Sequence, residues 1–182
     1  VGPDASSAQF VARKAAADLG LTLFRLPVEM LPAHAVDVDL LCRVWDRETL
    51  LGPVALYVDA QNLSANADAA NFTSAQRFLA RATGVVFLGV REAWAFTGIP
   101  TITFDVAKPK TQEQEELWRK ALGRDAKAPA AELAGQFHLS ADDIGRVAAS
   151  VDKTIEDKES RRKETWQRAR LYARPRLDAL AQ

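Results

Sequence analysis

The chain has 182 residues, 48% of them hydrophobic and 26% charged, a composition typical of a globular domain that buries a core. Its 24 basic and 24 acidic residues balance, which excludes an overall field that would attract nucleic acid or an anionic membrane. The first residues show no secretion signal, no run approaches the roughly 20 apolar residues that span a bilayer, and the single cysteine, Cys42, is expected in the core. We therefore expect a soluble, cytoplasmic protein without membrane contacts.

The first part of the chain predicts helices that alternate with strands. In chain order, the predicted elements are a helix over 8–19, a strand over 21–26, a helix over 37–51, a strand over 54–59, a surface loop over 61–71, a helix from Thr73 or Ser74 to Arg81, and strands over 85–90 and 101–106. The apolar runs over 54–59 and 85–90 are typical of parallel strands covered on both faces, whereas 101–106 alternates. This order predicts an α/β sheet.

Local signals set the ends of these elements. Gly20 ends the first helix, because a left-handed residue is least costly there, and Pro27 ends the first strand, because it cannot donate to a neighbouring strand. In the helix over 37–51, helical spacing places four apolar residues on one side. These residues are Leu40, Leu41, Val44 and Leu51.

Every segment after Pro109 is predicted to be helical. Thr111 with Gln114 predicts a capping box for a helix that ends at Leu122, and Ser140 with Asp143 predicts the start of a helix that ends at Val151. Further helices are predicted over 130–137 and 153–173, with a break at Pro175. We expect an α/β region over 1–108, a small helical region over 109–152, and a charged helix with a connector over 153–182.

The start of the chain carries the most informative pattern. A working phosphate loop has the form G-x-x-x-x-G-K-[S/T], in which glycines let backbone amides close on phosphate, lysine neutralises it and a hydroxyl ligates magnesium. Aligned on Gly2, this chain has Ser7 at the second glycine, Ala8 at the lysine and Gln9 at the hydroxyl. The alternative interpretation is an ordinary helix cap.

The order of the motifs resembles that of AAA-family ATPases, specifically the degenerate first module of bacterial proteins that carry two such modules in tandem. In that family an apolar strand ends in Asp-Glu, where Asp orients magnesium through water and Glu activates the attacking water. Here the run over 55–58 ends in Asp59 and is followed by Ala60, so the resemblance implies that the acid is kept and the base is lost. Arg91, behind the next strand, is either an arginine finger or, as we expect, a solvated surface residue.

The remainder of the chain extends this resemblance. Residues 104–118 look like the family's passage from the last strand into a helical lid, and residues 132–144 are similar to a lid pattern in which an acid–isoleucine pair opens a helix. Residues 173–182 look like the connector that leads into a second, intact module. The resemblance therefore implies a P-loop NTPase-like parallel sheet flanked by helices, followed by a small all-helical AAA lid.

The resemblance also implies a central strand that leads into Gly2. Only Val1 could belong to it, so we expect a trimmed fragment with a gap in the middle of the sheet unless another segment fills it.

The site that the resemblance implies is a vestigial nucleotide site. Its residues are Gly2, Ser6, Ser7 and Asp59, and neither a catalytic nor a metal-ligating residue is expected. We expect no cofactor, with at most weak binding of ATP or ADP. His34 and His138 lie far apart without an acid or cysteine cluster at ligand spacing, so they predict no metal site.

Three functions remain open. The first is a structural, non-hydrolysing module in a ring-forming motor, assembled with other copies and with the adjacent AAA module of the same chain; the resemblance connects such a motor with protein remodelling and with contractile injection or phage-tail-like particles. The second is a regulatory domain that binds nucleotide without hydrolysing it. The third is a helical adaptor that recruits partners through its lid and basic tail. Nucleic-acid binding by that tail is not expected, because acidic residues are interleaved with the basic ones.

Overall fold

A computed structural model describes residues 1–63, 68–95, 98–123, 127–151 and 157–178. The chain divides into two compact units, Val1–Ala107 and Lys108–Gln182. The first unit is α/β and the second is helical, with three parallel strands and seven α-helices among the described residues. The α/β class is thus as predicted, and no helix in the described ranges is both long and apolar enough to cross a bilayer.

The first unit is a parallel sheet with helices on both faces. Its elements are α1 (Ala5–Asp18), β1 (Thr22–Pro27), a 3-10 turn (Val28–Met30), α2 (Ala35–Leu51), β2 (Val54–Asp59), α3 (Ala69–Leu79) and β3 (Val85–Gly89). The strand order is β1-β2-β3, with Phe24 opposite Leu56 and Leu56 opposite Val86. The nearly continuous apolar run of β2 is therefore central and buried, as the sequence predicted.

The two sheet faces are covered differently. Alternate residues of β2, Leu56 and Val58, join a core with side chains from α2 and α3. This core includes Val38, Cys42, Trp45, Ala75 and Phe78. The opposite face carries Ala55 and Tyr57, and α1 packs over it with buried alanines at helical spacing, Ala8, Ala12 and Ala16. Small side chains let α1 approach the sheet closely.

α2 turns Val38, Cys42 and Trp45 inward, as expected for Cys42, and leaves Leu40, Val44 and Leu51 exposed, because the Nε1 of Trp45 donates to Thr83 and the cysteine packs beside Phe78. The predicted start of α3 was wrong. α3 begins at Ala69, four residues before Thr73, whose hydroxyl instead donates to the Ala69 carbonyl inside the helix. Part of the predicted loop over 61–71 is therefore helix, and residues 64–67 lie outside the described ranges.

Two strand predictions were also wrong. Residues 101–106 do not form a strand, and within the described ranges their strand-like pairing is with Val1, through Phe104 and Val106. β3 is a strand, but Val85 is exposed and the next three residues are only half-buried, so β3 is not covered on both faces along its length. β3 and residues 100–104 line a common cavity.

The helical unit has a core of its own. Its helices are α4 (Thr111–Leu122), α5 (Lys127–Gln136), α6 (Ala141–Ser150) and α7 (Lys158–Asp178). Their buried apolar side chains form one cluster around Trp118, with Leu133, Phe137, Ile144, Val147 and Ala169. The amphipathic spacing of short helices therefore produces a packed unit.

The helix caps confirm one prediction and correct another. The Ser140 hydroxyl accepts from the Asp143 amide at 3.2 Å, so α6 begins as predicted. α4 is capped one residue earlier than expected, because the Lys110 amide donates to the Glu113 carboxylate at 2.7 Å. The Gln114 amide group, expected to be part of the box, donates instead to the Pro109 carbonyl at 2.9 Å.

The predicted break at Pro175 was wrong. α7 continues through Pro175 to Asp178, although the proline has no amide to donate to the preceding turn. Residues 152–156, where the charged helix was predicted to begin, and residues 179–182 of the predicted connector lie outside the described ranges. The separate region proposed over 153–182 stays a prediction.

One close contact in the sheet requires glycine. The ring of Tyr57 lies across Gly89 of β3, where a Cβ would overlap the tyrosine hydroxyl. Tyr57 is fully buried, and its hydroxyl has no hydrogen-bond partner among the described residues. Burial, with a smaller contribution from Asp59, raises the pKa of Tyr57 to about 12.

Gly89→Ala should destabilise the chain by about 2 kcal/mol, because the added methyl group must displace the ring of Tyr57. The matched control is Gly145→Ala in α6, where a Cβ meets no atom within 4 Å. That control should stabilise the chain by up to about 1 kcal/mol through helix propensity. Urea unfolding of both variants measures the difference, and equal effects would contradict the contact.

Tyr57→Phe should remove a pH dependence of stability. Because the folded chain favours the neutral phenol, stability is complete below about pH 10 and falls as the pH rises to about 12, while the unfolded phenol ionises. The free energy of unfolding of the unsubstituted chain should fall by about 2 to 3 kcal/mol relative to Tyr57→Phe across this interval. Tyr172→Phe, at a half-exposed position, is the control and should leave the dependence in place.

Candidate functional site at the carboxyl edge of the sheet

Gly2 is held between two backbone segments. Its amide donates to the Val90 carbonyl at 3.1 Å, immediately beyond the end of β3. A Cβ at this position would overlap the Val106 carbonyl oxygen. Glycine is therefore required for close backbone approach, and the structure explains Gly2 without a phosphate ligand.

Asp4 closes the amino end of α1. Its carboxylate accepts from the Ser7 amide at 3.2 Å and from the Ser7 hydroxyl at 2.6 Å. This is an ordinary helix cap, the alternative interpretation of the pattern. The hydroxyl of Ser7 is thus turned onto a neighbouring carboxylate, and Asp4 and Ser7 are both buried.

A carboxylate at this point changes the electrostatics of the predicted phosphate loop. The amino end of a helix attracts anions because its first amides and the helix dipole point outward. Here Asp4 already supplies the anion, so phosphate would meet a negative charge rather than free amides. Ala8, at the lysine position, is buried, and Ser6 is half-buried. Neither side chain carries a positive charge that could neutralise phosphate.

Asp59 is bound by groups of the protein. Its Oδ2 accepts from the Arg25 Nη2 at 2.7 Å and from Nε at 3.0 Å. Its Oδ1 accepts from the Gln61 amide at 3.3 Å. The acid expected to orient magnesium is therefore engaged on both oxygens.

Arg25 is the site residue that sequence reasoning missed. It lies on β1, opposite Tyr57 of β2. Tyr57 precedes Asp59 by two residues, so Arg25 and Asp59 lie on the same face of the sheet. Diagonal neighbours on adjacent strands can contact through long side chains. The sequence offered one indication of this pair. Arg25 is a basic residue within an otherwise largely apolar strand, and the next strand ends in the acid Asp59.

The structure brings Gly2 and Asp59 to the same edge. The Gln61 side chain donates to the Val90 carbonyl at 3.3 Å, and the same carbonyl accepts from Gly2. The Gln61 amide meanwhile contacts Asp59. Ser7 belongs to the cap of Asp4, and Arg91 is exposed, as expected for a surface arginine.

Other charged groups pair among themselves. On α7, Arg162 donates to Glu132 of α5 at 2.6 and 2.8 Å, and Arg168 donates to Glu164 at 3.3 Å. His34 precedes α2, His138 follows α5, and no group of three His, Cys, Asp or Glu in the described residues could hold a metal ion.

Comparison with known proteins places the second unit. Residues 110–175 match the model of a family described as the contractile injection system ATPase helical domain. The match covers roughly a third of the chain and contains α4, α5, α6 and most of α7. No curated protein matches the chain. The helical unit is thus similar to an ATPase-associated helical module, and the AAA-lid assignment stays a prediction.

Proposed function

We propose that this chain is a degenerate, non-hydrolysing AAA-type module of a contractile injection system ATPase, and that it serves subunit assembly. The match of residues 110–175 to the helical domain of such ATPases carries the proposal. In sequence, this helical segment follows an α/β unit with a parallel sheet, the order that an AAA module requires.

The lack of hydrolysis follows from the chemistry of the site. Asp59 is engaged by Arg25 and Gln61, and the next residue, Ala60, has no group that could activate water. The Asp4 carboxylate occupies the amino end of α1, where a phosphate would need free amides. Since three roles of an ATP site are filled by internal contacts or by apolar groups, binding should be weak and turnover absent.

Assembly is supported by the apolar side of α2. The large side chains on this side are exposed in the first unit, and helical spacing places them on one stripe. We call these residues, Val36, Leu40, Val44, Leu50 and Leu51, the α2 stripe. Exposed apolar side chains that share one side of a helix favour a protein interface, and here the exposed Arg43 and Arg47 lie among them. Packing of the stripe against a neighbouring subunit would give the module a role that requires no nucleotide.

We expect no ATP turnover above background when phosphate release is measured at steady state in the presence of magnesium. Calorimetry should detect at most weak ATP or ADP binding by the unsubstituted chain. Asp4→Ser keeps a good helix cap but removes its charge, so this variant should bind ATP measurably more tightly. Hydrolysis that Asp59→Ala abolishes would disprove the proposal, and tight binding without hydrolysis would favour the regulatory alternative.

Leu40→Glu should weaken self-association of the chain by about tenfold or more, because it places a charge in the α2 stripe. Leu19→Glu is the control, since Leu19 is similarly exposed but follows α1. Sedimentation velocity over a concentration series measures the association. A chain that stays monomeric at high concentration, or equal effects of the two variants, would contradict assembly through this surface.

A further inference from the structure

The first helix of the helical unit turns two polar side chains into the interior. Gln114 and Trp118 are the buried residues of α4, with exposed fractions of 1% and 0%. Because they are four residues apart, they lie on the same side of the helix. Helical side chains lean toward the amino end, so the ring of Trp118 extends toward the turn that contains Gln114. An indole N–H donor and an amide group are thus buried as neighbours.

Neither residue has all its polar atoms paired. The Nε1 of Trp118 and the Oε1 of Gln114 both lack a hydrogen-bond partner among the described residues. Trp45 of the first unit differs, since its Nε1 donates to the Thr83 carbonyl at 2.9 Å. A buried donor or acceptor without a partner is costly, and native structures normally supply one. One donor and one acceptor on the same helix face indicate a shared partner.

The orientation of the Gln114 amide group is set by the residues before α4. Its Nε2 donates to the Pro109 carbonyl at 2.9 Å. Rotating the amide group by half a turn would bring two carbonyl oxygens together, because the Oε1 has no hydrogen to donate. The Oε1 therefore stays on the other side of the amide group, as a buried acceptor that is held in place.

The side chains of the helical unit do not supply the missing partner. The cluster around Trp118 is formed by apolar side chains of α5, α6 and α7. Among the described residues of this unit, the other buried polar side chains are Ser140 and Thr165, whose hydroxyls already donate at 2.7 and 2.8 Å. Glu164 binds Arg168 through Oε1, and neither of its oxygens accepts from Trp118. The partner therefore has to be small enough for a packed core and able both to donate and to accept.

We propose that the helical unit binds one internal water molecule between Gln114 and Trp118 of α4. The water accepts from the Trp118 Nε1 and donates to the Gln114 Oε1, which satisfies both groups at once. Through the Gln114 Nε2, the same bridge reaches the Pro109 carbonyl. Gln114 is thus a positioning residue that connects the core of the unit to the segment before α4. This inference uses no nucleotide chemistry and stands apart from the proposed function.

NMR of the isotope-labelled chain tests the site directly. Water-selective NOE and ROE spectra are recorded for the indole N–H signals, and Trp118→Phe assigns the signal of Trp118. We expect a cross-peak between water and the Trp118 N–H that has opposite signs in the two spectra, the signature of a bound water. Trp45 is the internal control and should show no such cross-peak, because its N–H donates to a protein carbonyl.

Two substitutions of Gln114 separate the bridge from packing. Gln114→Met keeps the length of the side chain but removes the acceptor, so the cross-peak should be lost. Gln114→Glu, measured at a pH where burial keeps the acid protonated, retains an acceptor oxygen and a donor to Pro109, so the cross-peak should persist. Trp118→Phe should lower the Tm less in the Gln114→Met background than in the unsubstituted chain, because both ends of the bridge are then apolar.

Absence of the Trp118 cross-peak from the unsubstituted chain would overturn the proposal, and this result requires no variant. A cross-peak of equal intensity in Gln114→Met would also overturn it. So would a scalar coupling between the Trp118 Nε1 and the side-chain carbonyl carbon of Gln114, which would show that the two groups bond directly.

Discussion

Backbone pairing at the carboxyl edge of the sheet is the constraint on which the first unit depends. Buried amides and carbonyls must find partners, and the Val90 carbonyl accepts from both Gly2 and the Gln61 side chain. This pairing fixes the loop before α1, and the loop in turn fixes where α1 begins. The position of Asp4 over the amino end of that helix follows from the same contacts.

The electrostatics of the edge are determined by the same geometry. A site that takes magnesium and triphosphate needs acids and amides that remain available to the ligand. Here Asp4 satisfies the first amides of α1, and Asp59 is shared between Arg25 and Gln61. The carboxylates of the edge thus accept hydrogen bonds from groups of the protein itself, as the proposed non-hydrolysing role requires.

The part of the chain that matches a known family is also a separately packed unit, the helical unit. Its core surrounds the buried Trp118 with side chains from α5, α6 and α7, and the segment that matches the contractile injection system ATPase helical domain contains all of these helices in whole or in part. Capping at Ser140 and the pairing of Arg162 with Glu132 position the helices around that core.

The sequence by itself determined the α/β class, the central place of β2 and the start of α6, because apolar runs and capping residues act over a few neighbouring positions. It misassigned the strand over 101–106, which depends on pairing with distant segments, and it placed a break at Pro175 where α7 continues. Only the tertiary structure revealed Arg25 beside Asp59 and the turning of Ser7 onto Asp4. Strand register and backbone pairing determine those contacts, and neither can be predicted from the spacing of residues within one element.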